Sequence, residues 1–81
     1  MDEAQGQALR EAETALIAAS EAFRLTKDQV QQGVGTDEDV WPLLDARKRA
    51  YEHWRAVADP LVAQGVPLSP AVLKVLNDHR R

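Results

Sequence analysis

The stretch Gln31-Gln32-Gly33-Val34-Gly35-Thr36-Asp37-Glu38-Asp39-Val40 decides the architecture of this 81-residue chain. Two glycines separate two long helical patterns. Glycine is the usual residue just past a helix end, because it takes positive φ without strain. Asp37-Glu38-Asp39 then opens the second pattern, where negative side chains suit the positive end of a helix dipole. The segment reads as a tight turn between two helices. Close glycines also occur in phosphate-cradling loops. Here the spacing fits no phosphate motif, no Lys-Ser/Thr follows, and the acids would repel an anion.

Upstream of the turn, one helix is expected over about residues 2–32. Leu9, Leu16, Phe23 and Val30 recur every seven residues, and Ala12 and Ala19 lie three further on. Such a spacing makes one narrow apolar stripe on a helix. Small Ala beside large Leu or Phe lets a second helix approach closely. At about 1.5 Å per residue the helix is about 45 Å long. Ile17 and Leu25 fall outside the stripe and mark a second contact surface.

Downstream, a second helix is expected over about residues 39–64. Proline is best tolerated in a first turn, so Pro42 favours Asp39 over Thr36 as N-cap. The facing seam runs Val40, Leu44, Arg47, Tyr51, Trp54, Ala58 and Leu61, alternating steps of four and three as in a coiled coil. Arg47 is its charged member, expected to pair with an acid of the first helix or to reach water along its stem. Pro60 removes a helical hydrogen bond, so the helix is expected to kink there or to restart at Asp59-Pro60. Gly65 ends it. Ser69-Pro70 is a start signal, N-cap Ser with Pro at the first helical position, for a third helix over about 70–79. The fold class is all-α: a long antiparallel helical hairpin with a short C-terminal third helix, in one domain of residues 1–81.

A domain of this size buries a modest core, and oligomerisation or close helix packing commonly supplies the missing stability. The chain has no cysteine, which excludes disulfides and thiolate metal sites, and only two histidines, His53 and His79. No apolar run approaches the roughly 20 residues that span a bilayer, and Met1-Asp2-Glu3 does not open a secretory signal. The expected compartment is the cytoplasm. Residues 1–39 carry nine acids and three bases, and residues 40–81 four acids and seven bases, giving the net charge of −3. Unlike halves favour antiparallel pairing within the chain. The bases Arg47-Lys48-Arg49 and Arg55 are expected to face Glu11, Glu13, Glu21 and Asp28.

Two local stretches resemble known families. Ala22-Phe23-Arg24-Leu25, Gly33-Val34-Gly35-Thr36, Asp39-Val40 and Leu44-Asp45-Ala46-Arg47, within residues 22–58, resemble the periplasmic helical segment of TolC-like outer-membrane efflux channels. There a helix ends in a Gly-x-Gly-Thr type turn and a second opens with Asp-Val, so the resemblance implies a helical hairpin. This chain has no barrel strands, and Pro42 interrupts the matched helix. Val62-Ala63-Gln64-Gly65-Val66, Ser69, Val72 and Val75-Leu76-Asn77, within residues 61–77, resemble the helix-turn-helix of lac-repressor-type regulators. That resemblance implies a helix laid in a DNA groove, although Pro67-Leu68 makes the turn one residue too long.

Neither histidine has a second metal ligand three or four positions away, and no Ser-His-Asp arrangement is legible. No enzyme activity, cofactor or metal is expected. The expected role is a protein–protein interaction module: a regulator, inhibitor or assembly adaptor of the kind that phages and mobile elements encode. Ile17, Leu25, Trp41 and Val62 are its candidate interface residues, and a homodimer is the expected assembly. The alternative is a DNA-binding regulator using Lys74, Arg80 and Arg81. Its net negative charge is poor for phosphate contacts.

Overall fold

The computed structural model describes residues 2–79, with His79 described by its backbone alone; Met1, Arg80 and Arg81 lie outside the described residues. It has three helices, α1 (Glu3–Gln31), α2 (Asp37–Ala63) and α3 (Pro70–His79), and no strand among the described residues. The molecule measures 47 × 19 × 14 Å, so its long dimension is that of α1.

The ends of the helices follow from local chemistry. The Asp2 carboxylate accepts the Gln5 N–H at 2.7 Å, and the Gln5 side chain accepts the Asp2 N–H at 3.2 Å. This reciprocal pair satisfies donors that an uncapped first turn leaves unbonded. At the other end Gly33 takes φ 87°. Its N–H donates to the Val30 carbonyl at 3.0 Å, and Val34 N–H donates to Gln29 at 2.8 Å. The α2 terminus repeats the device. Gly65 has φ 91°, with Gly65 N–H on Val62 at 2.9 Å and Val66 N–H on Leu61 at 3.0 Å. Both are Schellman closures, in which two otherwise unbonded carbonyls are satisfied by the chain that leaves the helix.

The start of α2 corrects the expected cap. Thr36, and not Asp39, is the N-cap, and the helix begins at Asp37. The Asp39 carboxylate reaches back to accept the Thr36 N–H at 3.0 Å, so Asp39 serves the cap from the third helical position. Pro42 consequently lies beyond the first turn. The helix also runs unbroken through Pro60, and does not restart at Asp59. Pro42 and Pro60 are 18 residues apart, about five full turns, and share one exposed face. Glu38 and Ala56, whose carbonyls lose the usual helical N–H partner to these prolines, are exposed residues.

The hairpin seam forms as its periodicity requires, but it is buried over only part of its length. Ala12 and Leu16 of α1, Trp54, Ala58 and Leu61 of α2, and Val72 and Val75 of α3 are the buried hydrophobic residues among those described. All of them lie in the half of the hairpin where α3 rests against α1. Toward the glycine turn the molecule is two helices thick. There Phe23, Val30, Val40 and Leu43 are half-buried, and Leu44, expected in the seam, is exposed. Two crossing cylinders cannot close over side chains on their flanks; a third layer is needed.

Candidate functional site

The four residues expected to form an interface do not converge. Ile17 is half-buried: one side packs against the core and the rest lines a groove that Val75 of α3 also lines, away from the other three. Leu25 is 55% exposed. It stands nine residues after Leu16, about half a turn beyond two full turns, which puts it on the side of α1 opposite the seam. Trp41 and Val62 are both exposed on α2, yet 21 residues separate them, about 30 Å of helix.

A different set does come together, at the turn end. Asp37, Trp41 and Leu44 follow one another at four and three residues and therefore share one face of the first turns of α2, with Glu38 beside them. Trp41 is 63% exposed, and Asp37, Glu38 and Val34 of the adjoining turn are exposed as well. Trp41 was legible from its place off the seam; the exposure of Leu44 was not, because the heptad assigns it to the seam.

The second feature is an open groove of about 660 Å³ between α1 and α3. Phe23, Ile17, Ala71 and Val75 supply its apolar lining, and Arg24, Lys27, Arg47 and Lys74 its cations. Three acids, Glu21, Asp28 and Asp78, line it as well. No described acid lies within ion-pair distance of any of these four cations. Arg47 does not pair with an acid of α1. Its guanidinium lies over the Phe23 ring, 4.0 Å from the centroid. Partial burial lowers its pKa by desolvation, and an arginine so placed keeps its charge at neutral pH. The rest of the basic cluster of α2 also departs from expectation. Arg49 pairs with Asp45 at 3.1 Å and Arg55 with Asp59 at 3.4 Å, both within α2 and both exposed. Partners one turn away on the same helix are within reach without any tertiary contact, so they are engaged before the acids of α1.

The segment resembling a helix-turn-helix has its second helix capped as expected: Ser69 Oγ accepts the Val72 N–H at 3.3 Å. Val72 and Val75 point into the core, and Lys74 is exposed at the α1 groove. Arg80 and Arg81, the other two candidate nucleic-acid residues, lie outside the described residues.

A small, partly open pocket lies beside Trp54. It measures about 10 Å³, bounded in part by Leu9, Leu61, Leu68 and Val72, and is at the lower limit for a single water. The indole Nε1 of Trp54 is buried with no hydrogen-bond partner among the described residues. Also among these residues, no three His, Asp or Glu side chains gather as a metal site, and no helix is long and apolar enough to cross a membrane.

No protein family model, curated protein or solved structure matches this chain.

Proposed function

We propose that this chain is a non-enzymatic protein–protein interaction module, a small regulator, inhibitor or assembly adaptor, and that it self-associates as a dimer. One observation carries the reading: the exposed Trp41, with Leu44 on the same face of α2. A large aromatic left in water beside a second apolar side chain is the type of residue that dominates the energy of protein interfaces. Its position supports the same reading. The turn end is where α3 does not reach, so the surface is available without unfolding anything.

The test is affinity capture from the native host with two baits, the wild-type chain and Trp41→Ser/Leu44→Ser. Both substituted positions are exposed, so circular dichroism should show the same helix content in each. A partner held by wild type and lost by the variant supports the module. The same proteins on both baits, or none on either, removes Trp41 from the argument. Sedimentation velocity of the pure chain tests the dimer separately: a single folded species near 9.0 kDa at every concentration sinks it.

The alternative role, DNA binding through α3, has the exposed Lys74 as its support. Duplex DNA titrated at low salt checks it. Binding that Lys74→Ala weakens, with a flatter salt dependence, would favour that role.

A further inference from the structure

We infer that the second copy docks by its hairpin tip: the acidic, Trp41-bearing start of α2 in one chain enters the α1–α3 groove of the other, whose lining holds four cations and three acids. The inference rests on the dimer reading above and names its two faces. Charge complementarity selects the occupant. The tip presents Asp37 on the face that carries Trp41 and Leu44, with Glu38 one turn before Trp41; both acids are exposed and neither is in an ion pair among the described residues. The groove presents Arg24, Lys27, Arg47 and Lys74, without carboxylate partners among the described residues, beside apolar lining that includes Phe23 and Val75. An acid-and-aromatic surface therefore has a cation-and-apolar surface to meet, and both are on the same chain. Glu21, Asp28 and Asp78 line the same groove and reduce its positive charge without cancelling it.

Position along the hairpin makes the contact reciprocal. The groove runs from Ile17 to Gln31, where the turn begins, and the tip starts just beyond at Val34. Tip and groove are thus neighbours along the long axis. Two hairpins laid antiparallel, overlapping at their turn ends, bring each tip to the other's groove about one two-fold axis. Such a pairing closes on itself and leaves neither surface open to a third chain. The groove volume of about 660 Å³ is within the range of roughly 300–1,000 Å³ found for sites that enclose ligand groups, enough to receive large side chains.

Charge reversal on each face gives the experiment. The tip variant is Asp37→Lys/Glu38→Lys, which spares the Asp39 cap. The groove variant is Lys27→Glu/Lys74→Glu, which spares the Arg47–Phe23 stack. All four positions are exposed, and circular dichroism checks each fold; the single changes Asp37→Lys and Lys27→Glu replace any double variant that fails to fold. Sedimentation velocity then reads association for wild type, each variant and their equimolar mixture. The expected result is a wild-type dimer weakened by salt, each variant weakened by roughly tenfold or more, and association restored in the mixture, where both contacts are again between unlike charges. Variants that dimerise like wild type would overturn the tip-in-groove contact while leaving the dimer standing. Weak variants whose mixture is equally weak would also overturn it. A wild-type monomer at every concentration would remove both the contact and the dimer.

Discussion

The guanidinium carbon of Arg47 lies 4.0 Å from the centroid of the Phe23 ring. The one charged residue of the α2 seam thus meets an aromatic of the α1 stripe, and its charge is placed against the ring's negative face. A double-mutant cycle with Arg47→Met and Phe23→Leu should give a coupling of about 0.5–1 kcal/mol by urea denaturation. Arg47→Met alone should cost less than about 1 kcal/mol, since methionine fills the same path with no charge to desolvate. A coupling of zero would mean that ring and guanidinium do not interact in solution.

Gly33 and Gly35 both have φ 87°, but only one is sterically confined. A Cβ at Gly33 meets nothing within 4 Å, whereas one at Gly35 comes within 2.7 Å of the Asp39 carboxylate oxygen that caps Thr36. Gly33→Ala should therefore cost only the left-handed backbone penalty, about 1–2 kcal/mol. Gly35→Ala should cost about 1 kcal/mol more, the usual value of a lost cap. Equal melting temperatures for the two variants would contradict this.

Leu16 is fully buried where the three helices meet, and Leu16→Ala should cost about 2–5 kcal/mol. Trp54 is a different case, because its indole N–H is buried without a partner among the described residues. Trp54→Phe removes that unsatisfied donor while keeping most of the ring, so a net change within about 1 kcal/mol is expected, against about 3–5 for Trp54→Ala. A large loss in the phenylalanine variant would show that the N–H makes a hydrogen bond in solution.

Pro60 stands inside α2 and cannot donate to the Ala56 carbonyl. Pro60→Ala restores the missing bond, and against it loses the restriction that proline places on the unfolded chain. The net gain should be about 1–2 kcal/mol, seen as a higher thermal midpoint. A lower midpoint would mean that proline is needed to steer α2 into residues 64–69.

The elements themselves were legible because their signals are short-range. Leu9, Leu16, Phe23 and Val30 at sevenfold spacing, Gly33 and Gly65 after the helices, and Ser69-Pro70 before the third each act within a turn or two of chain. The choice between Thr36 and Asp39 is equally local, but Pro42 and the cap chemistry point to different starts, and the bond from Thr36 N–H to the Asp39 carboxylate fixes Thr36. A long helix with an exposed proline face accepts the lost hydrogen bond, and the cap chemistry prevails.

The sequence by itself determined three helices, the glycine closures of the first two and the Ser69 start of the third, since periodicity and capping are properties of neighbouring residues. Only the tertiary structure decided how the hairpin seam is used. The heptad treats Leu44 and Leu61 alike, yet Leu61 is buried and Leu44 exposed. It gave no ground for placing Arg47 on Phe23, or for Arg49 and Arg55 choosing acids of their own helix. The reason is where α3 lies. By covering one half of a hairpin 47 Å long, it closes a core around Leu16 and Trp54 and leaves the turn end two helices thick. That end is where Trp41 stays in water, and no residue of the first two helices specifies how far the third will reach.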